Sequence, residues 1–140
     1  MNKKILTALA AGVITASCVH QPGPLGSSNC VIHTPTTSCT GNPNNPVVTL
    51  NLNTMKANPP NVCGRAGKTM EVRLVPPPSA KGTVAVVPKN FSDTWLLGTN
   101  DPDPAKIFIE IPDWVAFGSD HDYGFVKSTG ECADPRLHVM

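Results

Sequence analysis

The chain has 140 residues, one domain's worth once any processing segment is removed, and it is 40% hydrophobic and 15% charged with a formal net charge of +1. So even a balance offers no basic face to nucleic acid, and no nucleic-acid partner is expected. The 15 prolines and 11 glycines, set among few charges, argue against long helices and coiled coils, yet stay short of a disordered low-complexity composition.

Met1-Asn2-Lys3-Lys4 is a short positive start, and the apolar run Ile5–Ile14 follows it. Together with the small residues after it, this pattern predicts a secretory signal over residues 1–17. The run is well short of the roughly 20 apolar residues that a membrane-spanning helix needs. The segment ends Ile14-Thr15-Ala16-Ser17-Cys18, which resembles the lipobox of bacterial lipoproteins, with Thr15 where leucine is most common and Ile14 one place earlier. In that family the cysteine is acylated and becomes the new N-terminus. The resemblance implies a lipid on Cys18 and a membrane as partner through that lipid. It also implies residence at the outer membrane of a bacterial envelope, because Val19 is not the aspartate that retains lipoproteins at the inner one. The alternative is ordinary signal-peptidase cleavage nearby, leaving Cys18 a plain cysteine.

Five cysteines in an exported chain is an odd number that calls for an explanation. Lipidation of Cys18 supplies one and leaves Cys30, Cys39, Cys63 and Cys132 as an even set for two disulfides in an oxidising compartment. Several acyl chains hold a protein to a bilayer far better than one can. Without Lys3 and Lys4 the body carries 9 cations against 10 acids, so it has no polybasic patch to add a second membrane signal.

Residues 18–46 are rich in proline, serine, asparagine and glycine, with too few apolar groups to offset the entropy of ordering the backbone. They read as a tether between anchor and domain. From Val47 the pattern changes to period two. Val48, Leu50 and Leu52 alternate with polar neighbours, as do Met70, Val72 and Leu74, and Ile107, Ile109 and Ile111. Thr83–Val87, Thr94–Leu97, Tyr123–Lys127 and Arg136–Val139 complete seven short strands, separated by Asn58-Pro59-Pro60, Pro76-Pro77-Pro78, the Gly98–Pro104 stretch and Gly118-Ser119-Asp120. This spacing predicts an all-β domain over 47–140, a small antiparallel Greek-key sandwich. Pro112–Gly118 reads as one helical turn, with proline first and glycine as stop.

Four cysteines allow three pairings. A Cys30–Cys39 bridge would close a ten-residue loop worth about 2.7 kcal/mol on chain entropy alone, and Cys63–Cys132 a far longer loop worth about 4.4 kcal/mol. That pairing is the expectation. The end of the chain, through Tyr123, Phe125, Gly130-Glu131-Cys132 and Asp134-Pro135 into Leu137 and Val139, resembles small exported sandwiches of the cupredoxin-like or immunoglobulin-like type. It departs from the tyrosine corner of antibody domains in having Phe125 where a cysteine should stand.

Cys132, His138 and Met140 occur in the order of a blue-copper site, which is the alternative reading of the domain's role. Such a site needs two imidazoles, and no histidine lies between His33 and His121. Period two also turns His138 and Met140 away from the face of Leu137 and Val139. Asp101 and Asp103, and Asp120 and Asp122, lack calcium-loop spacing and read as turn formers. No metal or cofactor is therefore expected. Hydrolase motifs are absent, and Ser119 beside His121 does not make a triad by adjacency. Asn90-Phe91-Ser92 matches a glycosylation sequon that a bacterial envelope protein leaves unused. Asp113, Trp114, Phe117, Asp120, His121 and Tyr123 form the candidate interaction patch, aromatics beside acids on a connection. The competing reading is that Trp114 and Phe117 plug the open end of the sandwich while Tyr123 packs there. The expectation is a non-catalytic envelope lipoprotein that binds a protein or an envelope component.

Overall fold

Alternation of apolar and polar residues dictates the longer strands, and the computed structural model bears this out over residues 30–32, 38–99 and 102–140, which are those it describes. The predicted signal segment, Cys18 and residues 18–29 and 33–37 of the predicted tether lie outside them. Within the described residues the chain is all-β. Its strands are β1 (Cys30–Ile32), β2 (Val47–Asn51), β3 (Lys56–Asn58), β4 (Asn61–Gly64), β5 (Thr69–Val75), β6 (Val84–Pro88), β7 (Lys106–Glu110), β8 (Asp120–Lys127), β9 (Cys132–Asp134) and β10 (Arg136–Val139).

One sheet is built around β8 and the β9–β10 run. β9 and β10 keep a single antiparallel register against β8, Val126 opposite Cys132 and His121 opposite Leu137, so they act as one strand interrupted at Pro135. β6 lies along the other side of β8. On the outer side of the run, β1 pairs with β9 and β4 with β10, both parallel. The second sheet has the order β3-β2-β5-β7, with β2 and β5 parallel and the other pairs antiparallel. The chain crosses from the second sheet to the first between β3 and β4 at Pro59-Pro60. The sheets are therefore mixed rather than antiparallel throughout, because β1, β2 and β4 reach their partners through long connections and not through hairpins.

Each sheet turns one face inward. Val48, Leu50, Met70, Val72, Leu74, Ile107 and Ile109 of the second sheet meet Val84, Val86, Tyr123, Phe125, Leu137 and Val139 of the first in one core. Tyr123 and Phe125, two apart on β8, are wholly buried and meet edge to face at 5.3 Å between ring centroids, a favoured aromatic geometry. Gly98 is required by close approach, since a Cβ there would overlap Val86 and Ile107.

Several expectations are corrected. Thr94–Leu97 is not a strand: Leu96 enters the core from a loop. Residues 112–118 form successive turns and not a helical one, closed by Gly118 at φ 78°. The domain begins before Val47, because β1 belongs to the first sheet, Thr40 bridges Val62, and Pro46 O accepts from Glu71 N at 2.9 Å. The disulfides are Cys30–Cys132 and Cys39–Cys63, with Cα separations of 4.3 and 5.0 Å, in place of Cys30–Cys39 and Cys63–Cys132. Sheet register is the reason. Pairing of β1 with β9 sets Cys30 abreast of Cys132, and the Thr40–Val62 bridge sets Cys39 beside Cys63.

The register also defines two poles. Along the run from Cys132 to Val139, Cys30 enters level with Cys132, while Gly64 and the start of β8 lie level with the Val139 end. The two ends are about 25 Å apart at the usual rise of a strand.

Non-reducing peptide mapping should recover Cys30–Cys132 and Cys39–Cys63. Replacing Cys39 and Cys63 by serine should cost about 3.5 kcal/mol on the chain-entropy scale, read by denaturant unfolding. A second expectation concerns alkali. Burial pushes the Tyr123 phenol well above its ordinary value, so the folded state keeps the proton that the unfolded chain loses above about pH 10. Stability should fall as pH rises past that point. Tyr123 is the chain's single tyrosine, so tyrosinate absorbance should appear only together with unfolding, and Tyr123→Phe should flatten the alkaline decline.

Candidate functional site

The Val139 pole is closed by two connections, residues 89–99 between β6 and β7 and residues 111–119 between β7 and β8. The first leaves β6 with Lys89 N donating to Asp122 O and folds through a turn in which Asp93 N donates to Asn90 O at 3.0 Å. The second turns back so that Gly118 N donates to Val139 O and Val139 N to Ser119 O. Leu96 from the first connection and Ile111 and Val115 from the second are buried and close the core. The residues beside them are left bare: Trp114 is 70% and Phe117 84% exposed, and Phe91 at the tip of the Asn90–Asp93 turn is fully exposed. Val115, not Trp114 or Phe117, plugs the sandwich. Large apolar side chains are thus left exposed on both connections.

The two connections are fastened by a polar chain. Asp93 is 6% exposed, and its Oδ1 lies 3.0 Å from His121 Nδ1. His121 Nε2 lies 2.7 Å from Ser119 Oγ, which is also 2.6 Å from Ala116 O. Trp95 meets the His121 ring edge-on at 5.1 Å. Its indole N–H is buried and has no hydrogen-bond partner among the described residues. Period two explains how His121 gets there: it shares the inward face of β8 with Tyr123 and Phe125, at the mouth of the core. A serine, an imidazole and a buried carboxylate in series have the order of an acyl-transfer triad. That chemistry also needs backbone donors aimed at an oxyanion. Here Gly118 N is committed to Val139 O and Ser119 N to Ala116 O, so neither of these amides is free to supply them.

A groove of about 340 Å³ has a lining that includes Gly67, Lys68, Glu110 and Asp113. The Asp113 carboxylate lies over Gly67, whose φ of +74° and lack of a Cβ leave room for it. The Val139 pole therefore brings together Asp113, Trp114, Phe117 and His121 of the predicted patch. Tyr123 does not belong to it, being wholly buried with its hydroxyl 3.8 Å from Met70 Sδ. Asp120 faces the other side of the sheet, where its Oδ1 is 2.7 Å from His138 Nδ1. Next to it Arg136 donates from Nε to Asp122 at 2.7 Å, and this bond above all holds the guanidinium pKa higher than usual.

The copper set does not converge. Cys132 is bound to Cys30 at the opposite pole, His138 is held by Asp120, and Met140 Sδ rests 3.8 Å from Cys39 Sγ. Among the described residues no group of three or more His, Cys, Asp or Glu could hold a metal ion. Asp103 caps the turn into β7, accepting from Ala105 N at 2.8 Å, while Asp101 and His33 lie outside the described residues. No protein family, curated protein or solved structure matches the chain.

Sequence reasoning missed Asp93, Trp95 and Phe91. The one signal for the array was parity, since Ser119, His121, Tyr123 and Phe125 fall on one face of a continuous period-two pattern. Nothing local marks Asp93, whose partner is 28 positions away. Asp93→Ala should lower stability by about 2 kcal/mol, because it leaves the part-buried His121 imidazole without its acceptor. Trp95→Phe should cost less than about 1 kcal/mol, since it also removes an unpartnered buried donor. Chemical denaturation of the two variants checks the contrast.

Proposed function

We propose that this chain is a non-catalytic lipoprotein of the bacterial cell envelope. A lipid on Cys18 anchors it at the outer membrane, and its disulfide-stapled β domain binds a protein or another envelope component at the Val139 pole. The observation that carries this reading is polarity. The chain enters the domain at Cys30, at the Cys132 pole, whereas Phe91, Trp114 and Phe117 stand bare at the other end. A tether from Cys18 to Cys30 spans up to about 40 Å when extended, so an anchored domain would carry its aromatic loops away from the bilayer. Exposed tryptophan and phenylalanine are among the residues from which protein-binding hot spots are made. Two disulfides support an oxidising compartment. Commitment of the Gly118 and Ser119 amides supports recognition over acyl transfer.

Three measurements in intact cells and with purified protein test this. Cys18→Ser should release the protein from membranes, and unchanged fractionation would refute the anchor. A photo-crosslinking amino acid at Phe117 should capture a discrete adduct that Trp114→Ser diminishes, while the same group at Lys81, in the β5–β6 loop of the far pole, captures none. Equal capture from both positions would sink the assignment of the surface. A fluorophosphonate probe should leave Ser119 unlabelled, and stoichiometric labelling would overturn the non-catalytic reading.

A further inference from the structure

Three short contacts run in series at the Val139 pole: Ala116 O to Ser119 Oγ at 2.6 Å, Ser119 Oγ to His121 Nε2 at 2.7 Å, and His121 Nδ1 to Asp93 Oδ1 at 3.0 Å. Each needs one proton between its two heavy atoms. The carbonyl and the carboxylate bring none, the serine hydroxyl brings one, and a neutral imidazole brings one, while an imidazolium brings two. Only the imidazolium fills all three places.

We propose that Asp93, His121 and Ser119 form a proton-operated clasp that sets the order of the turn carrying Phe117. The idea rests on the reading of this pole as the recognition surface, and supplies its regulation. With His121 protonated, the clasp fastens the 89–99 connection to the Ala116–Ser119 turn through an unbroken series of hydrogen bonds. When the proton leaves, one contact must fail. The Nδ1–H bond to Asp93 is charge-assisted and lies between side chains only 12% and 8% exposed, so it is the one that persists. Ser119 then turns its hydroxyl to Nε2 and releases Ala116 O. That carbonyl keeps only the long bond from Ser119 N at 3.3 Å, and the turn bearing Phe117 loosens.

The groups around the ring leave Asp93 as its ionisable partner. On its own strand Asp120 and Asp122 occupy the opposite face, tied to Arg136 and His138 of β10. β10 presents Leu137 opposite His121. From the 89–99 connection Lys89 is paired with Asp134 on that same outer face. Asp113 of the 111–119 connection lies over Gly67.

Amide hydrogen exchange at Ser119, corrected for intrinsic pH dependence, reads the clasp at an acidic and an alkaline pH, about 5 and about 8.5. Protection should fall about five-fold at the higher pH, the equivalent of one modest hydrogen bond. In Ser119→Ala the same amide should be equally protected at both pH values. Equal protection in the unsubstituted protein overturns the proposal. Nitrogen-15 imidazole shifts of the unsubstituted protein give a readout that needs no variant to fold. An imidazolium at the lower pH and the Nδ1–H tautomer at the higher are expected, and the Nε2–H tautomer at the higher pH refutes the clasp. Both readouts are independent of any partner, so a failed crosslink at Phe117 counts against the recognition surface alone.

Discussion

Backbone hydrogen bonding along the Cys132–Val139 run is the constraint on which the rest of the molecule depends. On one side the run holds β8 in a single register; on the other it accepts β1 and β4 end to end. Because β8 and the run keep that register over their whole length, Tyr123, Phe125, Leu137 and Val139 all point inward, and a one-residue slip would turn each of them to solvent. The same register sets Cys30 beside Cys132 and brings Ser119 and His121 to the open end. The Cys30–Cys132 staple and the polar series at the Val139 pole are thus two outcomes of one ladder of bonds.

The site follows from how that open end is closed. Aliphatic side chains of modest size, Leu96, Ile111 and Val115, seal the core. The polar series from Asp93 to Ser119 then holds the two sealing connections together, in a place where its buried members are shielded from water. With those tasks met, the aromatic rings are not needed for packing. Their exposure costs free energy that the fold does not recover by itself, and this is the ground on which a partner is proposed.

What could be read from the residues, and what could not, divides along physical lines. Strands β2, β5, β6, β7, β8 and β10 are long enough for alternation to show, and each falls close to where period two puts it. β3, β4 and β9 are short, and β4 is buried at every position, so no alternation marks them. Strand direction leaves no trace in a period-two pattern, and for that reason the mixed sheets were not foreseen. Thr94–Leu97 looked like a strand because Trp95 and Leu96 are apolar, yet one packs on His121 and the other fills the core from a loop. The disulfide pairing depended on which strands lie side by side, which loop length along the chain does not reveal. In the patch, Trp114 and Phe117 were legible as candidates from their chemistry. That Val115 would take the buried position between them was not, since in a turn burial follows the path of the backbone and not the size of the side chain.

The parallel rows have a further consequence for how the molecule comes into being. Among the strands, β1 pairs only with β9, β4 only with β10 and β6 only with β8. All three therefore wait on the last quarter of the chain to be synthesised. Nascent chain lacking that quarter cannot assemble the first sheet, and pairings so distant in sequence form slowly. A polypeptide of this topology can close its second sheet before its first, which is completed only when β8, β9 and β10 are in place.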